Sequence, residues 1–239
     1  MSEPKFLINN MTSLNYNPVP FDDTYVLYDP QDPISTISVY FSLLPIGILI
    51  FYLSWFIVTR EIEPVIIAGG QVVNDIINNI VKNIIKEERP LAIDGFQSNG
   101  LRSGYGMPSA HSQFMGFFAI FFTLKIWLNW KDLTCIRKIL GTLGVYILGS
   151  LVAFSRVYLY YHSYKQVAVG VLLGTAIGAP YFLVTSIARS LGLIDWIISW
   201  KIVNLFWVKD STFHSPLTLK EEYQLWEQIK ENQVNKKHK

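Results

Sequence analysis

Residues 34–58 read ISTISVYFSLLPIGILIFYLSWFIV, without one Asp, Glu, Lys or Arg. As an α-helix rising about 1.5 Å per residue, this stretch is roughly 37 Å long and crosses a bilayer with some tilt. It decides the fold class, because an apolar run of this length without alternation is a helix and not a strand. Four further apolar stretches follow at 64–81 (interrupted by Asp75), 107–124, 139–155 and 166–188. The stretches at 107–124 and 139–155 are short for a span, so each needs a flanking turn. The expected fold is all-α, a polytopic membrane helix bundle with about five transmembrane helices. A sixth stretch, Leu193 to Val208, carries Asp195, Lys201, Trp196, Trp200 and Trp207. It reads as an interfacial helix with its tryptophans at headgroup level.

Composition agrees with a bilayer as solvent. Of 239 residues, 51% are hydrophobic and 16% charged, against roughly 25% charged in an ordinary soluble domain. Mean hydropathy is +0.29. The 20 Lys+Arg nearly cancel the 18 Asp+Glu, so no net field draws a nucleic acid. The single cysteine, Cys135, makes neither an intrachain disulfide nor a thiolate metal cage.

Residues 1–33 are polar and acidic (Glu3, Asp22, Asp23, Asp29, Asp32) and hold no cleavable signal pattern. The first span serves as its own insertion signal. The expected organisation is a lumenal segment 1–33, a membrane domain 34–208 and a cytosolic tail 209–239. Thr218 and Glu221 have capping-box spacing, which predicts a short exposed helix with a frayed end. Arg60, Lys131, Arg137, Lys138 and the terminal Lys236, Lys237 and Lys239 fall on one face. The positive-inside rule makes that face cytosolic. The tail ends KKHK, which has the form of a dilysine retrieval signal or of a generic basic end. Asn10-Met-Thr12 is a glycosylation sequon on the opposite side and reads more simply as a chance match.

Polar groups within a span ask for a reason. Asp75, Asn79, Lys82 and Lys86 recur at helical spacing and share a face. Arg89 follows Lys82 by about two turns and returns to that face, before Pro90 stops the helix. Alone, this pattern is explained by snorkelling toward headgroups. A glycine-rich loop (Gly95, Gly100, Gly104, Gly106) leads to Pro108-Ser109-Ala110-His111 at the start of the third span. Ser109 there is an N-cap candidate whose neighbouring N–H groups suit an anion. Ser155-Arg156 ends the fourth span, and His162 precedes the fifth. With five spans, all three clusters open on one membrane surface, and chance placement of all three is a poor explanation. Three cations, a hydroxyl, a helix N-terminus and two imidazoles suit a phosphoryl group.

Lys82-x6-Arg89-Pro90, Pro108-Ser109-Ala110-His111 and Ser155-Arg156-x5-His162 resemble the three-part signature of the type 2 lipid phosphate phosphatases and vanadium haloperoxidases. The stretches PFDDTY at 20–25, LRSGYGMPSAH at 101–111 and SRVYL at 155–159 resemble more closely the branch acting on dolichyl diphosphate in the fungal endoplasmic reticulum. The resemblance implies a phosphatase that removes the terminal phosphate and recycles the lipid carrier for protein N-glycosylation, with its site facing the lumen. It implies a polyisoprenoid diphosphate lipid held in the bilayer as partner, and no nucleic acid.

The resemblance also implies roles. Lys82, Arg89, Ser109, Ala110 and Arg156 bind the phosphate, His162 attacks phosphorus, and His111 protonates the leaving oxygen. Spacing alone leaves open which histidine attacks. Many family members carry glycine where this chain has Ala110, and aspartate where it has Gln166. An amide at Gln166 can orient the His162 ring without adding charge, and a backbone carbonyl is the alternative. A neutral His162 and a protonated His111 imply a bell-shaped pH profile near neutrality. No cluster of carboxylates points to a divalent metal, so no cofactor is expected. Tyr105, Tyr158, Tyr160 and Tyr161 are candidates for an entrance lining or an ordinary aromatic belt. Rival readings are a phosphatase for phosphatidate or a sphingoid-base phosphate, a transporter using Asp75, Asn79 and Lys82, and a non-catalytic lipid-binding relative.

Overall fold

A computed structural model describes residues 26–90, 104–131, 133–212 and 219–237. Asn10, Gly95, Gly100, the first part of the 101–111 stretch, Thr218 and Lys239 lie outside the described residues. Every named element is a helix. In chain order these are α1 (Pro33–Ser42), α2 (Leu44–Thr59), α3 (Glu63–Ile85) and α4 (Ala110–Leu124), which runs on into a π-helical turn (Lys125–Asn129). Then come α5 (Cys135–Tyr158), α6 (Tyr164–Ser190), α7 (Leu193–Ile198), α8 (Lys201–Asn204) and α9 (Leu219–Lys237).

The first apolar run is two helices and not one. The Asp32 side chain accepts the Ile34 N–H at 2.9 Å, and Pro33 occupies the first turn. The break falls at Leu43, because Pro45 has no N–H to donate back across it. Together Pro33–Thr59 remain long and apolar enough to cross a membrane, as do α5 and α6. α3 has 23 residues and carries Glu63, Asp75 and Lys82, so it is amphipathic and not uniformly apolar. α4 has 15 residues, about 22 Å of helix, and the π-helical turn extends it.

The sixth stretch is two short helices, α7 and α8, with the Trp196 and Trp200 rings edge-on at 4.9 Å between centroids. The tail helix α9 spans Leu219–Lys237, and the frayed end expected beyond it lies outside the described residues. Residues 209–212 belong to the bundle. Lys209 N–H donates to Arg60 O at 2.9 Å, and Ile62 N–H donates to Lys209 O at 2.9 Å.

α4 packs most extensively on α6. Gly170, Gly174 and Gly178 recur at four-residue spacing and let the two backbones touch. A Cβ at Gly170 would lie 2.7 Å from Ser109 O, and one at Gly174 would lie 2.0 Å from Gln113 O. Gly116 on α4 reciprocates, with Val171 O 2.4 Å from its would-be Cβ. Such small-residue seams drive helix association where lipid removes the hydrophobic incentive. Next to the seam, Phe117, Phe121, Phe182, Met115, Ile67, Ile48, Tyr52 and Val152 form the apolar core.

Two buried polar groups hold the bundle and went unread in the sequence. On α3 the buried face is Gln71, Asn74 and Asn78, while Asp75, Asn79 and Lys86 are exposed. This corrects the expected polar stripe. Asn79 Nδ2 donates to Asp75 Oδ2 at 3.1 Å, so those two satisfy each other on the outer face. Gln113 of α4 donates to Asn74 Oδ1 at 2.8 Å and accepts from Asn78 Nδ2 at 2.6 Å. At the other end of α3, Glu63 pairs with Lys125 at 2.7 Å and with Arg189, whose Nε reaches Asp210 at 2.8 Å. Helix directions put this ionic cluster at the end of the bundle opposite His162.

Candidate active site

The end of α5 is shaped by its own backbone. Tyr160 takes a left-handed φ of 58°. The chain then folds back so that the Tyr161 and His162 N–H groups both donate to Arg156 O at 3.0 Å. The Arg156-x5-His162 spacing is thus one C-terminal turn, with the cation and the imidazole built on a shared carbonyl. The Arg156 guanidinium lies 4.1 Å above the Tyr161 ring and donates to Ser42 Oγ. Tyr161 is therefore buried beneath the cation and is not an entrance residue. Ser42 sits on α1 directly before the Leu43 break, so the break in the first helix presents this hydroxyl to the site.

His162 is 3% exposed. Its Nδ1 is 2.9 Å from Gly106 O and 3.2 Å from Gln166 Oε1. The Gln166 amide has one consistent orientation. Its nitrogen faces two acceptors, Glu88 O at 2.7 Å and Glu87 Oε1 at 3.2 Å, while its oxygen also accepts the Ser163 N–H at 3.2 Å. Nδ1 then faces two oxygen acceptors and carries the proton. The lone pair is left on Nε2.

Burial, followed by the charges of Arg156 and Arg89, holds the imidazole well below its ordinary value of 6.5; the Gln166 hydrogen bond opposes them. His162 is accordingly neutral at pH 7.

Ser109 is the N-cap residue of α4, and its side chain makes no capping bond. Its N–H donates to Gln166 O at 3.1 Å, so that amide is already committed. Its hydroxyl accepts from Ser112 Oγ at 3.1 Å, leaving its own proton to donate elsewhere. The N–H groups of Ala110, His111 and Ser112 precede the first intrahelical bond, Gln113 N–H to Ser109 O.

Lys82 lies in the last turn of α3 and is half-buried. Arg89 is not on that helix, which corrects the helical-face argument. Lys86, left-handed at φ 53°, stops α3 at Ile85 before a second turn can bring Arg89 round. An irregular segment carries Arg89 instead, with its Nε 3.4 Å from Gly104 O. It still reaches the cluster. His111 lies within electrostatic reach of Arg156, His162, Lys82 and Arg89, and His162 within reach of Arg156, Arg89 and Lys82.

All eight residues singled out in the sequence thus gather at one end of the bundle. Sequence reasoning missed Ser42, Gly106 and Glu87. Gly106 had a signal as one glycine of the loop, for a Cβ there would lie 2.7 Å from the Gln166 amide nitrogen. Ser42 and Glu87 had none, because their partners are distant in the chain.

A model of the PAP2 superfamily matches residues 63–189. The chain is 51% identical over 227 residues to the dolichyldiphosphatase of Saccharomyces cerevisiae, covering 94% of this chain and 95% of that one. It is 31% identical over 195 residues to dolichyldiphosphatase 1 of Mus musculus, covering 79% and 80%. The fold matches the crystal structure of a transmembrane PAP2 type phosphatidylglycerolphosphate phosphatase from Bacillus subtilis. The TM-score is 0.50 at 21% identity, with 69% of this chain and 80% of that chain covered. The chain belongs to the PAP2 superfamily and, within it, to the dolichyldiphosphatase branch.

Proposed function

We infer that this chain is a membrane phosphatase that hydrolyses dolichyl diphosphate to dolichyl phosphate and phosphate. The observation that carries the chemistry is His162, oriented through Nδ1 and ringed by cations. The substrate rests on relatives named for it.

Lys82, Arg89 and Arg156 neutralise the equatorial oxygens of the terminal phosphoryl group, with the Ser109 hydroxyl and the first N–H groups of α4 as neutral donors. His162 Nε2 attacks phosphorus in line as the anhydride P–O bond breaks, and His111 gives its proton to the departing dolichyl phosphate oxygen. The His162 ring now carries phosphoryl on Nε2 and its original proton on Nδ1. Water then attacks phosphorus, His111 takes the water proton, the N–P bond breaks and phosphate leaves. Three fixed cations fill the role a metal would otherwise take, so activity in EDTA should equal activity without it.

α3 and α4 complete five crossings, with residues 1–33 lumenal and 209–239 cytosolic. The site then opens to the lumen of the endoplasmic reticulum, at the depth where a diphosphate headgroup already sits. The isoprenoid chain stays in the bilayer. Purified protein in detergent, offered dolichyl diphosphate, phosphatidate and a sphingoid-base phosphate at equal concentration, tests the assignment. Phosphate release fastest from dolichyl diphosphate is expected. A faster rate on either competitor would overturn the substrate.

A further inference from the structure

His162 has a supporting group that the three-part signature does not contain. Both oxygens that accept from Nδ1 are tied to one residue. Glu87 O accepts the Gly106 N–H at 2.7 Å, and Gly106 O is the acceptor 2.9 Å from Nδ1. Glu87 Oε1 accepts from Gln166 Nε2 at 3.2 Å, and Gln166 Oε1 is the acceptor 3.2 Å from Nδ1. Its other oxygen, Oε2, pairs with Lys165 Nζ at 3.0 Å. Lys165 and Gln166 are consecutive in the first turn of α6, so Glu87 grips α6 from the end of α3.

We propose that Glu87 is a positioning residue for the nucleophile: its main chain and side chain hold the two acceptors of the His162 Nδ1 proton, and its carboxylate supplies, one amide away, negative charge that Gln166 lacks. This inference rests on His162 being the nucleophile.

The chemistry explains why charge at that distance helps. As Nε2 bonds to phosphorus, the ring becomes cationic while the proton stays on Nδ1. A Gln166 amide polarised by a carboxylate stabilises that cation better than an isolated amide. The Lys165 ammonium, then the Gln166 amide, hold the Glu87 carboxyl below its ordinary value, so it is ionised throughout the working range. Among the described residues, the other charged or titratable groups facing His162 are Arg156 from α5, Lys82 from the last turn of α3, Arg89 from the irregular segment after it, and His111 from α4, with Lys165 at the rim. Among these described groups Glu87 supplies the carboxylate, through Gln166.

Glu87→Gln and Glu87→Ala test the idea in the full chain purified in detergent. Glu87→Gln keeps an acceptor for Gln166 and removes the charge. Its kcat should fall roughly tenfold and KM change less than about twofold, by analogy with outer-sphere partners of metal-bound histidines. The acid limb of its kcat/KM profile should move to lower pH, because an imidazolium without the carboxylate loses its proton more easily. Glu87→Ala removes the acceptor too, and its kcat should fall roughly 100-fold. Wild-type kcat and an unmoved acid limb in Glu87→Gln would overturn the proposal, as would a rise in KM at unchanged kcat. His162→Ala in the same series separates the two readings. If it turns over substrate, the nucleophile assignment fails. If it is dead while both Glu87 variants behave as wild type, only the role of Glu87 fails.

Discussion

The carbonyl of Gly106 sits 2.9 Å from Nδ1 of His162, in a chain where those residues are separated by the whole of α4 and α5. That contact fixes the tautomer. It is also closer than the Gln166 oxygen at 3.2 Å, so of the two orienting groups expected from the sequence the backbone carbonyl makes the shorter contact, with the amide beside it.

Gly106 should therefore tolerate no side chain. In Gly106→Ala the new Cβ meets the Gln166 amide at under 3.0 Å and pushes it from His162. A fall in kcat of roughly 10–100-fold with KM little changed is expected from losing ring orientation. Steady-state kinetics on dolichyl diphosphate checks it, and wild-type kcat would contradict it.

Arg156 depends on α1. Ser42→Ala removes the hydroxyl that receives the Arg156 guanidinium. The cation keeps its place over Tyr161 but loses a directional partner, at a cost of about 1–3 kcal/mol in transition-state binding. The expected result is a drop in kcat/KM of about tenfold. Ser42→Thr, which restores the hydroxyl, should recover much of it.

The α4–α6 seam carries the site's geometry. In Gly174→Ala the added methyl overlaps Gln113 O, which cannot retreat without moving α4. Overpacking of this kind costs about 1–3 kcal/mol. A lower thermal midpoint in detergent, together with reduced turnover, is expected. Gly144→Ala, where a Cβ meets open space, should leave both near wild type.

Acid should silence the enzyme later than an ordinary histidine would. His162 must be neutral to attack, and burial, Arg156 and Arg89 hold it below 6.5. Activity is then retained as pH falls past 6.5 and lost only as pH passes through the lowered value. A pH profile of kcat/KM checks this, and an acid limb above 6.5 would contradict it.

The charges at the far end of the bundle are a stability device. Glu63 bridges Lys125 and Arg189 with side chains about 5% exposed or less. Glu63→Ala leaves two buried cations short of a partner, and such losses cost about 3–5 kcal/mol. A large fall in thermal midpoint is expected, with the active-site pH profile unmoved.

Pro33–Thr59, α5 and α6 were legible in the sequence because long charge-poor runs announce membrane spans. The helix breaks were less so. Pro45 sits inside the first run, yet proline is tolerated in spans, and only the structure shows that the run splits at Leu43, two residues before it. Arg89 shows the limit of periodicity. The count from Lys82 assumed a helix that Lys86 ends, and the residue arrived at the site by another route. The signature residues were legible because three local patterns had to meet somewhere. Ser42, Glu87, Gln113 and Glu63 were not, since each acts through a partner far along the chain that no local pattern marks. The Gly170, Gly174 and Gly178 spacing was written in the sequence, and only the facing carbonyls reveal its purpose.

The most direct measurement supplies dolichyl diphosphate labelled in its terminal phosphate to wild-type and His162→Ala protein in one detergent, followed by an alkaline quench. Wild type should release labelled phosphate and carry alkali-stable label on His162, while His162→Ala should do neither and still bind the lipid. Phosphate release by His162→Ala at a rate near wild type would contradict the account.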